Sequence, residues 1–217
     1  MDIVATRKGT DFGAPASVSA AHLMFPEVVT ILPESLNSNV SAFLALHKDL
    51  FGFCTASEID LDKVDRLIAV DTDRWERLGA LAALQHRRSL EILLFDHHGT
   101  GGDIEPSWQC REEMGANITL MLRHLNARRL SISPIQAGLF LLGVYEDTGN
   151  LTFPSTQPED VRAAAFLLEN GADLHLVDAF LNPAYGRKQK NVLFRMLHGS
   201  QRNTIGGHTV SIRHVEV

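Results

Sequence analysis

The sequence has few cysteines, no excess of basic charge and no long apolar run, and each absence excludes a class of protein. Its two cysteines, Cys54 and Cys110, lie far apart and outside any Cys-x-x-Cys pattern, which excludes a disulfide framework and gives no zinc-site spacing. The formal net charge of -6 leaves no basic footprint for tight non-specific nucleic-acid binding. No apolar run approaches membrane-spanning length, and the first residues lack the pattern of an export signal. These features indicate a protein of the reducing cytoplasm that does not enter a membrane.

What remains is an ordinary globular composition. The chain has 217 residues, of which 45% are hydrophobic and 21% charged. That supply of apolar side chains is enough for a substantial core. We therefore expect one large domain, or one domain and a fragment of a second.

Short β-branched runs alternate with segments of helical period in the first half of the sequence. This alternation predicts an α/β fold with a parallel sheet of about five strands flanked by helices, followed by a helix-rich second half. The predicted strands are 2–6, 28–32, 66–70 and 91–95, and the predicted helices are 15–25, 39–47, 73–84, 112–125, 133–149, 157–172 and 187–199.

Acidic and histidine side chains occur where predicted strands end and after one apolar helical run. Asp11 follows the first strand, Asp71 ends the third, His97 and His98 leave the fourth, and Asp147 ends the helical run. The carboxyl ends of parallel strands meet at one edge of a sheet, so these side chains are expected to converge there. Two simpler explanations stay open. An Asp after a strand is often a helix cap or turn residue, and one of two adjacent histidines could pack in the core while the other is solvated.

The alternative to these structural explanations is a metal site. One imidazole with carboxylate oxygens suits Mn²⁺, Mg²⁺ or Co²⁺, so His97, Asp71 and Asp147 are candidate ligands of a divalent cation. Asp96 would then orient a neighbouring group or cap the loop.

Four short strings carry a family resemblance. In order and spacing, "TDFGAPAS", "VDT", "FDHH" and "EDTG" resemble the four motifs of the DHH phosphoesterase superfamily. The longer stretches "SLNSNVSAFLALHKDLFGF" and "SPIQAGLFLLGVYEDTGNLTFPST" are similar to the amino-terminal DHH module of bacterial poly(A)-polymerase or tRNA-nucleotidyltransferase-like proteins. The resemblance covers nearly the whole chain and implies the DHH phosphoesterase fold.

The resemblance also implies a two-metal hydrolase and a role for each motif residue. Two divalent ions can neutralise the charge that develops on phosphoryl oxygens. By position, Asp71 resembles a ligand shared by both ions, Asp11 a ligand of the first, and His97 and Asp147 ligands of the second. His98 would face the substrate, which makes His98, Asp71 and Asp96 the catalytic candidates. The substrate-binding candidates are Arg7, Gly99 and Thr100.

Two positions depart from the family pattern. Arg7 stands where the family has a histidine, and Gly13 stands where it has a second aspartate. Arginine stays protonated and glycine has no side-chain oxygen, so each ion loses one ligand. We therefore expect one Mn²⁺ or Mg²⁺ ion rather than two, and weak activity. Arg7 would either pair with Asp11 or Asp71, or bind a substrate phosphate directly.

The resemblance predicts two parts of unequal size. Residues 1–186 would form the DHH phosphoesterase domain, and 187–217 a linker helix and the first hairpin of a second domain, with Gly206 and Gly207 at its turn. The rest of that domain, the CBS domains and the nucleotidyltransferase head have no counterpart in the sequence, so no polymerase activity is expected from these residues. An apolar surface near 190–217 would be exposed, and a homodimer could cover it.

Three functions stay open at this point. The first is a metal-dependent phosphoesterase module that acts on a nucleotide, an oligonucleotide or the 3′ end of RNA. The second is a catalytically silent module that binds nucleotide or RNA, as a regulatory part of a longer tRNA-processing polypeptide. The third is a structural assembly domain. The expected partners are the nucleotide or RNA substrate and the missing carboxy-terminal domains of that longer protein.

Overall fold

A computed structural model of the chain describes residues 1–99, 101–181, 187–198 and 201–212. The chain divides into two compact units, residues 1–181 and 182–217, which are described separately. The strands of the first unit are β1 (Asp2–Ala5), β2 (Val29–Ile31), β3 (Arg66–Val70), β4 (Glu91–Asp96) and β5 (Trp108–Arg111). Its α-helices are α1 (Gly13–Met24), α2 (Ser38–His47), α3 (Asn117–Ala127), α4 (Pro134–Asp147), α5 (Pro158–Glu169) and α6 (Leu174–Leu181). Short 3-10 segments lie at Ala56–Glu58, Leu61–Lys63 and Trp75–His86.

The five strands form one parallel sheet in the order β2-β1-β3-β4-β5. This confirms the predicted α/β fold with its flanking helices. The chain passes outward from β1 to β2 and then returns to the other side of β1 at β3. The strand order therefore switches between β1 and β3, and a crevice opens where the loops after these two strands diverge. Arg7 and Asp11 follow β1, and Asp71 follows β3, so the sheet places all three at this switch.

The two faces of the sheet pack against different layers. Side chains alternate along a strand, so Val4 and Ile68 face α1, α3 and α4, while Ile3 and Leu67 face the segment Trp75–His86. Both layers are apolar, which explains why the strands read as nearly continuous hydrophobic runs rather than as alternating ones.

Two predicted helices were wrong in type or bounds, and one helix was not predicted. The helix predicted at 73–84 is the 3-10 segment Trp75–His86, which breaks at Gly79 with φ 63° and ψ -128°. Its buried residues Trp75, Leu78, Leu81 and Leu84 recur every third position, which matches the three residues per turn of a 3-10 helix. The helix predicted from residue 112 begins at Asn117, because the preceding residues form β5 and the turn after it. Helix α6 was not predicted.

The second unit contains a helix and a hairpin. Helix α7 spans Arg187–His198, and β6 (Gln201–Ile205) pairs antiparallel with β7 (His208–Ile212). Gly206 and Gly207 form the turn with φ 58° and 83°, the left-handed values of a type I′ turn, so the predicted hairpin is confirmed.

Helix α7 carries exposed Leu193, Phe194 and Leu197, which confirms an exposed apolar surface in the described part of this region. That these residues begin a second domain stays a prediction. Gly199, predicted to end the helix, lies outside the described residues. Among the helices in the described ranges, none has both the length and the apolar character that a membrane crossing requires.

Candidate metal centre

Asp71 lies at the base of the crevice with its position set by the backbone. It directly follows β3, adopts a left-handed φ of 58°, and donates its backbone N–H to the Phe95 carbonyl of β4 at 2.9 Å. Aspartate tolerates this conformation better than most residues with a side chain. The side chain is only 1% exposed, so its negative charge must be balanced by neighbouring protein groups or by a bound ion.

Arg7 supplies one balancing charge. Its Nε donates to Asp71 Oδ2 at 2.9 Å, and its Nη2 pairs with Asp11 Oδ2. Of the two roles left open by the sequence, the structure shows pairing, and with both acids at once. Burial alone would lower the pKa of Arg7, but Asp71 and Asp11 raise it above its usual value, so the guanidinium remains a cation.

His97 lies on the other side of Asp71. Its Nδ1 is 2.9 Å from the carbonyl oxygen of Met114, which can only accept, so the proton sits on Nδ1 and Nε2 points toward Asp71 Oδ1 at 3.3 Å. Burial alone would lower the pKa of His97, but Asp71 and then Asp147 raise it to about 9. The same contacts outweigh burial at Asp71, where His97 and Arg7 hold the carboxyl pKa below its ordinary value.

Asp160 holds the segment that carries Met114. This buried side chain accepts hydrogen bonds from the backbone amides of Gly115 at 3.1 Å and Ala116 at 3.2 Å, and from Thr119 Oγ1 at 2.7 Å. The start of α3 is thereby fixed to α5. Asp160 thus fixes the main chain that orients the His97 ring.

Asp147, the last residue of α4, occupies space beside Gly13. A Cβ at Gly13 would lie 2.7 Å from Asp147 Oδ2 and 2.9 Å from Oδ1, so the carboxylate fills the volume of a side chain at position 13. Gly143 permits this approach of α4 to α1, since a Cβ there would meet Ala16 Cβ at 3.1 Å and Phe12 O at 3.3 Å. Burial, and then the charges of Asp71 and Asp11, raise the pKa of Asp147 well above its ordinary value.

We call the carboxylates of Asp11, Asp71 and Asp147 the acidic cluster. Of the three, only Asp71 belongs to a group of potential ligand atoms within 4.8 Å of one another in the described part of the chain, a group that it forms with His97 and His98. One oxygen of each (Asp11 Oδ1, Asp71 Oδ1 and Asp147 Oδ2) is buried and makes no hydrogen bond. Leaving a buried acceptor unpaired costs about 1 to 3 kcal/mol, and more when it is charged. Arg7 stays a cation beside these carboxylates, and His97, whose pKa is raised to about 9, adds a second positive charge in the metal-free protein. Oxygen donors with one imidazole nitrogen suit Mn²⁺ or Mg²⁺.

His98 and Asp96 form a separate pair at the edge of this centre. Asp96 is fully buried and accepts from the His98 backbone N–H at 2.6 Å and from its Nδ1 at 2.7 Å, so it sets the direction of the ring. The His98 side chain is 44% exposed. Asp71, His97 and His98 each offer a ligand atom within 4.8 Å of the others, a grouping that includes His98 and leaves out Asp147. His98 is therefore a further potential ligand, a role that the sequence did not suggest.

Several of the predicted site residues line one cleft of about 330 Å³. They are His97, His98, Gly99 and Asp147. Thr100 lies outside the described residues. The sequence analysis missed further lining residues, which are Glu113, Met114, Gly115, Ser155 and Gln157.

Two other contributors were missed for different reasons. Met114 acts through its backbone carbonyl, which no side-chain pattern reveals. Glu146 Oε2 accepts the Phe12 backbone N–H at 2.5 Å and so ties the start of α1 to the end of α4. Its position beside Asp147 in "EDTG" was the available signal.

Comparisons with known proteins found relatives in sequence. No family model matches the chain. It is 32% identical over 216 residues to an A-adding tRNA nucleotidyltransferase of Geobacter sulfurreducens and 27% identical over 209 residues to one of Aquifex aeolicus, covering 99% and 96% of this chain. The chain spans about a quarter of each of these relatives, 24% in both cases. A bifunctional oligoribonuclease and PAP phosphatase of Mycoplasma genitalium is 26% identical over 116 residues, covering 53% of this chain and 36% of that protein.

Solved structures share the fold at low sequence identity. An exopolyphosphatase-related protein from Bacteroides fragilis matches with a TM-score of 0.75 at 17% identity, covering 92% of this chain and 61% of that one. A Methanococcus jannaschii protein assigned as a family II inorganic pyrophosphatase matches with a TM-score of 0.63 at 17% identity, covering 97% and 70%. The sequence relatives support a DHH phosphoesterase-like relationship of this chain with a part of tRNA nucleotidyltransferases, and the solved structures show the shared fold.

Proposed function

We propose that the chain is a metal-dependent phosphoesterase module with a partly degraded metal centre, acting on a nucleotide, an oligonucleotide or the 3′ end of RNA. The observation that carries this proposal is the acidic cluster, in which the buried oxygens Asp11 Oδ1 and Asp147 Oδ2 lack hydrogen-bond partners and Asp71 Oδ1 faces only His97 Nε2, at 3.3 Å. A core built only for stability would pair such oxygens, since an unpaired buried carboxylate destabilises the fold.

One weakly bound ion fits this chain better than two. Asp71 and His97 have ligand atoms within 4.8 Å of each other and of His98, and Asp147 lines the same cleft as the two histidines, so these residues would hold it. Arg7 already lies between Asp11 and Asp71, where its positive charge opposes a second cation. A bound Mn²⁺ or Mg²⁺ would supply neutralisation of the charge that develops on phosphoryl oxygens.

His98 is suited to contact a substrate. Its Nδ1 is held by Asp96, and its ring lines the cleft and is partly exposed. Its other ring nitrogen would then donate to a phosphoryl or leaving-group oxygen when protonated. Asp96 acts on the substrate through His98, because its own carboxylate is fully buried.

The alternative function is a catalytically silent module that binds nucleotide or RNA. The contacts of Arg7 favour it, because a guanidinium that bridges two candidate ligands balances their charge without any metal. Asp147 lying in the space beside Gly13 favours it too, since the family aspartate could not occupy that space in the same arrangement.

Metal titration and hydrolysis together test the proposal. Mn²⁺ binding would be followed by calorimetry, and hydrolysis with bis(p-nitrophenyl) phosphate and a dinucleotide, for the unmodified chain, Asp71→Asn and His97→Ala. Asp62→Asn, an exposed acid outside the crevice, is the matched control. We expect weak Mn²⁺ binding and slow hydrolysis that both substitutions at the centre abolish and the control retains. Absence of Mn²⁺ binding would refute the metal-dependent function, and Mn²⁺ or nucleotide binding without hydrolysis would favour the silent module.

A further inference from the structure

We propose that the chain carries a second ligand site, a pocket that binds a nucleoside monophosphate independently of the metal centre. The pocket has a volume of about 500 Å³ and lies where β1 and β2 end, against the 3-10 segment Trp75–His86. The acidic cluster, Arg7, His97 and His98 do not line it. Its size falls within the range of about 300 to 1,000 Å³ typical of small-molecule sites.

The wall of the pocket is apolar and rigid. Ala5 and Ile31 come from the carboxyl ends of β1 and β2, and Leu78 and Leu81 from the 3-10 segment, and all four are buried in the core layer on this face of the sheet. Such a wall presents hydrophobic surface to the flat body of a ligand, and it is anchored in regular structure rather than in a loop.

Lys8 provides a fixed cation at the rim. Its backbone N–H donates to the Arg77 carbonyl at 2.8 Å, and its aliphatic stem crosses Gly79 so closely that a Cβ there would lie 2.9 Å from Lys8 Cε. Gly79 also has the left-handed φ of 63° that interrupts the 3-10 segment. The exposed Lys8 side chain makes no ion pair with any residue in the described ranges, so its charge is available to an anionic ligand.

Acceptors and hydroxyls complete the polar side of the pocket. Glu34 and Ser35, in the turn after β2, are exposed and line the pocket, and the part of the chain that the structure describes contains no ion pair of Glu34. Thr6 also lines it, with a buried hydroxyl that has no hydrogen-bond partner. Lys8 and Glu34 thus share one pocket without neutralising each other.

This set of groups matches a ligand with three features: one anionic group, hydroxyl or amine donors, and an apolar planar body. A nucleoside monophosphate combines them. Its phosphate would pair with Lys8, its ribose hydroxyls would donate to Glu34, and its base would lie on the apolar wall formed by Ile31, Leu78 and Leu81. Inorganic phosphate lacks the planar apolar body and a nucleoside lacks the anionic group. Binding of these two compounds therefore measures the phosphate contact and the apolar contact separately.

Binding to metal-free protein tests this site apart from the phosphoesterase function. AMP, adenosine and inorganic phosphate would be titrated into the full chain in EDTA by calorimetry. We expect AMP to bind more tightly than adenosine, and adenosine more tightly than phosphate. Lys8→Ala should weaken AMP binding about tenfold and leave adenosine binding unchanged, because it removes the cation that pairs with the phosphate. Glu34→Gln should weaken the binding of both AMP and adenosine, because the ribose hydroxyls of both would donate to Glu34.

Two controls locate the site. Arg88→Ala removes an exposed cation that does not line the pocket and should not change AMP affinity. His97→Ala disrupts the metal centre and should also leave AMP binding in EDTA unchanged. The proposal is overturned if AMP shows no saturation at concentrations on the order of 10 mM. It is also overturned if Lys8→Ala has no larger effect than Arg88→Ala, or if His97→Ala abolishes AMP binding. Loss of hydrolysis in any variant bears only on the proposed phosphoesterase function.

Discussion

Arg7→His replaces the arginine with the residue that the family pattern has at this position. We expect it to lower the stability of the metal-free protein and to raise its affinity for metal. The substitution removes the guanidinium that pairs with Asp71 and Asp11, whose side chains are 1% and 23% exposed. Removing one partner of a buried ion pair costs about 3 to 5 kcal/mol. Because Arg7 and Asp11 retain some exposure, we expect the lower end of that range. For a domain of this size, about 3 kcal/mol lowers Tm by roughly 6 to 12 °C in EDTA.

The same substitution should strengthen Mn²⁺ binding. Two unit charges about 4 Å apart interact by about 4 kcal/mol at an effective dielectric constant of 20, so loss of the guanidinium removes a large repulsion from a cation near Asp71. We expect binding at least about tenfold tighter, which corresponds to about 1.4 kcal/mol. Mn²⁺ at about 100 times its Kd would return about 2.7 kcal/mol of stability. The variant should therefore regain in Mn²⁺ most of the Tm that it loses in EDTA.

Thermal unfolding in EDTA and in Mn²⁺, with calorimetry of Mn²⁺ binding, measures both effects. Arg66→His is the matched control, because Arg66 also pairs with two carboxylates, those of Asp2 and Glu91, each at 2.8 Å, but on the exposed surface. Such pairs contribute at most about 1 kcal/mol, and this variant should show no Mn²⁺ dependence. Equal Tm losses in the two variants, with no gain in Mn²⁺ affinity for Arg7→His, would refute the view that Arg7 acts as a built-in cation.

We expect full activity to require the second family residue as well. Gly13→Asp alone would place its Cβ 2.7 Å from Asp147 Oδ2 and would add a fourth carboxylate, so Asp147 must turn away and the metal-free protein should be less stable. With Arg7→His in the same chain, bound cations could neutralise the carboxylates at position 13 and of Asp147. We expect two-metal binding only in the double variant, together with phosphodiester hydrolysis that is faster than the slow hydrolysis of the unmodified chain. Equally fast cleavage by the unmodified chain with two tightly bound ions would show that the centre is not degraded, and Arg7 would then be a phosphate clamp.

Two further predictions concern the support of the centre, and a third concerns the pH dependence of stability. Asp160→Ala should destabilise the fold by at least about 3 kcal/mol and weaken Mn²⁺ binding, because it leaves several buried donors unpaired. Glu159→Gln, at an exposed neighbouring position, should change stability and Mn²⁺ affinity by much less. Equal effects of the two substitutions would contradict the supporting role of Asp160. Gly143→Val should lower Tm by pushing α4 away from Ala16 in α1, and should also weaken Mn²⁺ binding by displacing Asp147. Unchanged Mn²⁺ affinity would show that the metal centre does not depend on this helix packing. Burial and two nearby arginines lower the pKa of His124 below 6.5, so the unfolded chain protonates His124 at a higher pH than the folded chain does, and stability falls as pH drops through 6.5. Between pH 7.5 and pH 5.5, denaturant unfolding should show a smaller loss of stability for His124→Gln than for the unmodified chain. An equal loss would contradict this role of His124.

The positions of the acidic residues could be predicted from the sequence because they follow from strand order. Parallel strands end at one edge, so Asp11 and Asp71, which follow strands, meet once the strands are recognised, and His97 follows β4 in the same way. Asp147 is different, since it ends a helix and strand order alone does not place it with the others. Its carboxylate packs beside Gly13 only because α1 and α4 approach closely at Gly143, and no local pattern reports that approach.

The elements that were missed have local causes. Strand β5 is four residues long, lies at the sheet edge and reads "WQCR", which has neither an apolar run nor a clear alternation. The segment Trp75–His86 has an apolar repeat of three, which is close enough to 3.6 to be taken for an α-helix over two turns. The pocket beside Lys8 is lined by residues of that 3-10 segment, so no sequence pattern indicated a site there.

The two departures from the family pattern act on opposite sides of the acidic cluster and compensate different parts of it. Arg7 pairs with one oxygen of Asp71 and one of Asp11, and the absence of a side chain at Gly13 makes room for the Asp147 carboxylate. Together they allow the crevice to persist without a metal, which a silent binding module needs. They do not satisfy the remaining oxygens, because Asp11 Oδ1 and Asp147 Oδ2 stay buried without a hydrogen bond and Asp71 Oδ1 faces only His97, at 3.3 Å. A crevice fully converted to a structural role would have lost those oxygens or paired them, so the geometry favours a centre that has been weakened for metal and still retains the donors for one ion.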